Sequence, residues 1–256
     1  TISKGFGKEG LLIVNGDDEL LYKFRESTGY PYVLYGTKEY CDYRAEDIHM
    51  ENGHYAFTFV HNEMRVPVVL SVLGQHNVLN ATAALAAAHL NGVDVTLAAK
   101  SLYTFTGFQN RLQIMDVKDY KVIDDTYNAS PDSMKASVSV LSSMEGVKGR
   151  RIAALADMLE LGEKEREYHY EVGKFIAGTQ VDEVAAYGEL SEEILKGVED
   201  NNERIVVKHF ESRDALKDYL LTYVHPDDVL LLKASNGMKL KEIAEAFLQN
   251  EKKVLK

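Results

Sequence analysis

From Tyr120 onward, short apolar runs alternate with amphipathic helical stretches, and that alternation constrains the fold more than any other feature of the chain. The strand-like runs fall at residues 121–124, 151–156, 182–187, 204–207 and 229–232. Between and after them, Met134, Val138 and Leu141 recur at helical spacing. So do Tyr168, Val172 and Phe175, then Leu216, Leu220 and Tyr223, then Leu240, Ile243 and Phe247. Strands alternating with one-sided helices predict right-handed βαβ units and a mainly parallel sheet with helices on both faces. The fold class is α/β.

The first part of the chain has a different pattern. The run at residues 11–14 is a buried-type strand ended by Asn15-Gly16-Asp17-Asp18, with a short helix toward Arg25 and a second short strand at residues 32–35. Residues 45–71 alternate with turn signals at Asn52-Gly53 and His61-Asn62-Glu63, which predicts a three-stranded antiparallel meander. An alanine-rich helix follows over residues 81–90, stopped by Asn91-Gly92, and a second helix starts at Thr96. Residues 107–113 form a connection that contains Arg111. The predicted boundary places one domain at 1–110 and another at 111–256.

Composition excludes several classes of function. The formal net charge is -11, and basic residues cluster only in pairs such as Arg150-Arg151 and Lys252-Lys253, so no nucleic-acid partner is expected. Cys41 is the only cysteine, which rules out an intrachain disulfide or a cysteine zinc site. No apolar run approaches the roughly 18 residues of a membrane span, so no membrane insertion is expected and a cytoplasmic location follows. No HExxH or GxSxG spacing is present. A literal GxGxxG occurs at Gly5, Gly7 and Gly10. An apolar run follows it and no strand precedes it, the reverse of a dinucleotide fingerprint. No P-loop motif is present. The chain opens almost directly on a buried-type strand and looks cut, so a piece of a longer protein is expected.

Chemistry-bearing residues collect where the predicted strands end. In the stretch VIDDTYNASPDS, two acids close a strand, Ser130 suits an N-cap and Pro131 suits the first helical position. Ligands of open α/β sheets bind outside the carboxyl ends of strands, which would gather Asp124 and Asp125, Asp157, Tyr187 and Gly188, His209, Lys233 and Ser235. Such a gathering fits a site or strand ends exiting into solvent. Asp157 and Glu160 frame apolar residues in a turn that either shapes a substrate loop or ends a strand. His169 and Tyr170 fall inside a helix, where packing or solvation is their ordinary role. Asn77 and Asn80 share a helical face and suit an adenine edge, although spacing alone favours Asn77 as the N-cap. Arg111 can pair with phosphate or ribose oxygens, or form a surface or interdomain ion pair.

Four segments in order resemble the Mur ligase family: GQHNVLNATAALAAA, then Arg111 followed by VIDDTYNASPDSMKAS, then ALADMLELGEKEREYH, then LLKASNGMKLKEI. The last three are similar to the C-terminal region of the branch that adds D-Ala-D-Ala to a UDP-N-acetylmuramoyl-tripeptide. The resemblance covers nearly the whole chain, including the NGDDE segment. It implies the C-terminal part of a Mur ligase central ATP-binding domain at 1–110, lacking the P-loop, and a Rossmann-like C-terminal domain at 111–256. It also implies ATP and Mg2+ as cofactors, with the magnesium ligands outside this chain. The expected substrates are the UDP-linked muramyl tripeptide and D-Ala-D-Ala, joined through an acyl phosphate in peptidoglycan precursor synthesis. Asn77, Asn80, Arg111, Asp125 and Asn128 would serve ATP, with Asp124 the substitute for Asp125. Asp157, Lys233 and Ser235 would serve the dipeptide. The chain departs from the family pattern at Ala156, Ala234 and Asn236, where Gly, Gly and Arg are usual. The expectation is a monomeric chain that is inactive alone. The competing readings are a noncatalytic nucleotide- or dipeptide-binding module and a dinucleotide-binding oxidoreductase, for which the chain supplies no fingerprint.

Overall fold

A computed structural model describes residue 7, residues 10–51 and residues 53–254, with side chains up to residue 249. Gly5 of the glycine triplet and Asn52 lie outside the described residues. The chain divides into two compact units, residues 1–106 and 107–256.

In the first unit, β1 (Leu12–Asn15), β2 (Tyr32–Gly36), β3 (Tyr43–Glu51), β4 (His54–His61) and β5 (Met64–Val69) form one sheet in sequence order. The expected meander is β3–β5, antiparallel throughout. It does not stand alone, because β1 pairs with β2, and β2 with β3, in parallel. A short helix α1 (Glu19–Phe24) begins at Asp18, whose carboxylate accepts from the amides of Leu20 and Leu21. Helices α2 (His76–Leu90) and α3 (Val95–Thr104) pack against the sheet. The small side chains of Ala81 and Ala86 let α2 come close to Phe57, Phe59 and Tyr43, and all five residues are buried.

In the second unit, six strands run in the order β10-β9-β8-β11-β7-β6. They are β6 (Gln113–Val117), β7 (Tyr120–Asp125), β8 (Arg151–Ala156), β9 (Glu183–Tyr187), β10 (Val206–Phe210) and β11 (Val229–Lys233). All pairings are parallel except β6 with β7, so an antiparallel strand edges a parallel sheet. Residues 152–156 are all fully buried, as are residues 230–232, which requires cover on both faces. Helices α7 (Arg213–Tyr223) and α8 (Lys241–Val254) supply one cover, through Leu216, Leu220, Ile243 and Phe247. Helices α4 (Pro131–Ser143) and α6 (Ser191–Glu199) pack along the other strand faces, and α5 (Glu165–Ala177) packs against both of these helices.

Two local expectations change. The buried stripe of α5 is His169, Val172, Gly173 and Ile176, while Tyr168 and Phe175 are exposed. Strand β10 begins two residues later than expected and runs on through Lys208 and His209. No described helix is long and apolar enough to cross a membrane.

Candidate functional site

In the first unit, Asn77 and Asn80 lie in the opening turns of α2. Asn77 is not the N-cap. Gln75 precedes the helix, and the Asn77 amide already donates to the Gly74 carbonyl. The Asn77 side chain instead donates to the Leu73 carbonyl at 2.6 Å and accepts from Asn80 Nδ2 at 2.9 Å. Asn77 is thereby occupied on both ends and holds Asn80 in place. Asn80 is exposed and keeps its carbonyl oxygen and a second N–H for an outside partner.

In the second unit, the carboxyl ends of the parallel strands form one edge. At that edge Lys233 and Asp125 are register partners on adjacent strands, so their side chains meet. Lys233 Nζ lies 2.6 Å from Asp125 Oδ2 and 3.0 Å from the Asn128 carbonyl. The lysine is 1% exposed. Burial holds its ammonium below the usual lysine range, with Asp125 opposing the shift and Arg111 adding to it. Asp125 also accepts from the Ser137 hydroxyl and, at 3.2 Å, from the Leu112 amide. A carboxylate has about four acceptor sites, so one remains for a further donor. Asp124 is more deeply buried. It accepts from the Thr126 amide and hydroxyl and from Asn110 Nδ2 at 2.7 Å.

The connection that carries Arg111 is therefore fastened to the end of β7 at three points. Asn110 donates to Asp124, the Tyr127 amide donates to the Asn110 carbonyl, and Leu112 donates to Asp125. Asn110 and Leu112 both have left-handed backbones, with φ of 60° and 47°, and these bonds offset the strain. Between them Arg111 is exposed, its guanidinium 4.2 Å above the centre of the exposed Tyr127 ring. Tyr127, Asn110 and Ser137 went unremarked in the sequence. An Asn beside a connecting Arg was the available signal, since Asn tolerates the left-handed region.

After Asn128, helix α4 opens as the sequence indicated. Ser130 caps it, Pro131 takes the first helical position, and Ser133 closes a reciprocal box at 2.9 Å to the Ser130 amide.

Asp157 holds loops rather than facing outward, and Ser235 is largely buried, holds the Leu159 turn and lines the cleft. Asp157 accepts from the Ser191 amide at 2.7 Å and so caps the start of α6. The carboxylate packs on Gly188, whose φ is +116° and where any Cβ would sit 2.4 Å from Asp157 Oδ1. Ser235 accepts from the Leu159 amide at 2.9 Å and donates its own amide to the Asp157 carbonyl. His169, fully buried, accepts from the Met158 amide at Nε2, which places its proton on Nδ1, facing the Glu165 carbonyl. Ala156 and Ala234, two of the departures, are fully buried, so small side chains suit both positions.

Burial pushes the Asp157 carboxyl above its usual range, although the Ser191 and Leu190 amides pull the other way. The sign follows from linkage: its stabilising effect is complete below the unfolded value of 3.8 and is lost as pH rises through the higher folded value. The stability advantage of the native chain over Asp157→Asn should therefore fall as pH rises from about 4 and then level off. Urea melts of both proteins across that range would measure it. A constant difference would contradict the assigned cause.

A cleft of about 290 Å³ opens between residues 127–129, the Leu159-Glu160 turn and residues 235–237. A second hollow of about 360 Å³ lies at the opposite edge, near Lys118, Glu145, Lys148 and Asp227. The first lies at the carboxyl ends of the strands, the binding edge of open α/β sheets, and we place the candidate site there. Among the described residues, no group of three or more His, Cys, Asp or Glu is arranged to hold a metal ion.

Comparison with known proteins covers both units. Residues 1–88 match the family model described as the Mur ligase middle domain, and residues 110–236 match the Mur ligase, glutamate ligase domain. The UDP-N-acetylmuramoyl-tripeptide--D-alanyl-D-alanine ligase of Bacillus subtilis is 34% identical over 97% of this chain and 53% of its own length. The enzyme of the same name from Haemophilus influenzae is 30% identical over 94% of this chain and 52% of its own length. A crystal structure of MurF from Acinetobacter baumannii superposes with a TM-score of 0.83 at 25% identity, over 97% of this chain and 53% of that one. The chain thus spans about half the length of the relatives it matches.

Proposed function

The chain belongs to the Mur ligase family, and from that premise we propose that the protein is an ATP-dependent ligase. It joins D-Ala-D-Ala to a UDP-N-acetylmuramoyl-tripeptide in peptidoglycan precursor synthesis, working in the cytoplasm with ATP and Mg2+. The observation that carries this reading is the similarity of nearly the whole chain to ligases of that name, at 34% identity over 97% of its length. The geometry of each unit agrees with it.

ATP supplies the phosphoryl group that turns a carboxylate into an acyl phosphate, and the amine of the dipeptide displaces phosphate from it. This chain's residues bind and orient. Asn80, held by Asn77, offers an amide edge to adenine. Arg111, placed over the Tyr127 ring, offers a guanidinium to anionic oxygens of the nucleotide. Asp125 keeps one acceptor site for a ribose hydroxyl, and Asp124 is its less accessible substitute. The Asn128 side chain lines the cleft, while its carbonyl fixes Lys233. Lys233, Asp157 and Ser235 serve the dipeptide side by fixing the loops that shape the cleft.

The test is ligation by the native gene product that contains these 256 residues, supplied with ATP, Mg2+, the muramyl tripeptide and labelled D-Ala-D-Ala. Label should enter the nucleotide-linked product only when all are present. The 256-residue chain assayed alone should release no phosphate from ATP, because it holds no GxxxxGK[ST] sequence to cradle the phosphates. Robust turnover by that chain alone would contradict the assignment of roles.

A further inference from the structure

Four acids lie at the end of β7 and in the turn after β8, the part of the carboxyl edge beside the cleft, and three of them are buried and bonded within the protein. Asp124 is buried and bonded to Thr126 and Asn110. Asp125 is buried against Lys233, Ser137 and the Leu112 amide. Asp157 is buried against Gly188 and caps α6. Glu160 differs in each respect. Its side chain is exposed, borders the cleft, and has no hydrogen-bond or ion-pair partner among the described residues.

Its position is also fixed. Glu160 has a left-handed backbone with φ of 64°, uncommon for a residue other than glycine. The turn is held there from both sides. Met158 donates to the buried His169, and Leu159 donates to Ser235, each at 2.9 Å. No lysine or arginine lines the cleft, where the other polar side chains include Asn128 and Asn236. Leu159, 41% exposed, adds an apolar wall. Arg111 stands over the Tyr127 ring at the other end of the cleft from the Leu159-Glu160 turn's carboxylate. The Glu160 side, with its amides and one apolar wall, therefore suits a small molecule that carries an ammonium group and a short aliphatic body.

We infer that Glu160 receives the ammonium group of the incoming D-alanyl-D-alanine and places its nitrogen for attack. The inference rests on the ligase reading above. An ammonium must lose a proton before it can act as a nucleophile, and at this exposed rim that proton passes to water while Glu160 holds the nitrogen in place. The nitrogen then forms the C–N bond at the acyl phosphate carbon. The C–O bond to phosphate breaks, phosphate leaves with the electron pair, and the second nitrogen proton leaves with it.

The experiment compares the native gene product with Glu160→Gln, Glu160→Asp and Glu163→Gln in steady-state ligation. Losing a charge-assisted hydrogen bond should raise KM for D-Ala-D-Ala about tenfold or more in Glu160→Gln. KM for ATP should stay unchanged. Glu160→Asp should recover part of the loss, and Glu163→Gln, an exposed carboxylate outside the cleft, should behave as the native protein. D-lactyl-D-alanine lacks the amine, so its inhibition constant should be the same for the native protein and Glu160→Gln. A dipeptide KM within twofold of native, or an equal loss of affinity for the analogue, would overturn the inference. If the native protein transfers D-Ala-D-Ala normally in that case, the ligase reading stands and only the role of Glu160 fails. If it transfers none, both fail.

Discussion

Asp125→Ala is expected to lower the stability of the second unit by about 3–5 kcal/mol, because it leaves a buried ammonium without its partner. Lys233 is 1% exposed and its Nζ lies 2.6 Å from the carboxylate that would be lost. For a unit of this size the melting temperature should fall on the order of 10 °C. Lys233→Met should cost less, since Asp125 would keep Ser137 and the Leu112 amide. Combining Lys233→Met with Asp125→Leu should recover much of the loss, as buried ion pairs replaced by apolar groups often do. The pH dependence carries a definite sign. A lysine held below 10.5 in the folded state binds its proton more tightly when unfolded, so stability rises with pH across that interval. In Asp125→Ala the lysine should release its proton more readily still, so the deficit should shrink toward alkaline pH. Calorimetric melts of the variants at two pH values would show it.

Gly173→Ala is expected to separate α5 from α6 and cost about 2–3 kcal/mol. A Cβ at Gly173 would lie 1.9 Å from the Ile194 carbonyl oxygen and 3.0 Å from the Gly197 Cα. Those are backbone atoms, so no rotamer change relieves the contact. Alanine ordinarily gains up to about 1 kcal/mol over glycine inside a helix, which makes a net loss diagnostic of the close approach. Gly178→Ala is the matched control. Its nearest contact would be 3.6 Å away, and its stability should change by no more than about 0.5 kcal/mol. Chemical denaturation of the two variants separates these outcomes.

The parts of the fold that were legible in the sequence were those with an unbroken apolar signal. Strand β8 falls at residues 151–156 as expected, since every side chain from Ile152 to Ala156 is buried and none is polar. Strand β6 was missed because it edges the sheet, with Gln113, Ile114 and Asp116 exposed. The end of β10 was missed for the same reason, as Lys208 and His209 carry no apolar signal. The buried stripe of α5 escaped because two of its members are His169 and Gly173. The first faces the core to bond the Met158 amide, and the second is small so that α6 can approach. At the site, the capped start of α4 was readable from Ser130 and Pro131, because capping is local. The pairing of Asp125 with Lys233 was not, because it joins residues 108 positions apart through strand register. Lys233, Asp157 and Ser235 were expected to help form the dipeptide side of the cleft. All three are buried and hold the loops that border the cleft, which Ser235 also lines, and Glu160 is the cleft-lining carboxylate, with no hydrogen-bond or ion-pair partner among the described residues.

The most direct measurement of the proposed activity is the mass of the product formed by the native gene product from ATP, Mg2+ and UDP-N-acetylmuramoyl-tripeptide, offered D-Ala-D-Ala and free D-alanine together. The proposed ligase should yield the tripeptide extended by one intact D-Ala-D-Ala unit, with one phosphate released per amide bond formed. Extension by a single alanine, or phosphate release without a new amide bond, would contradict it.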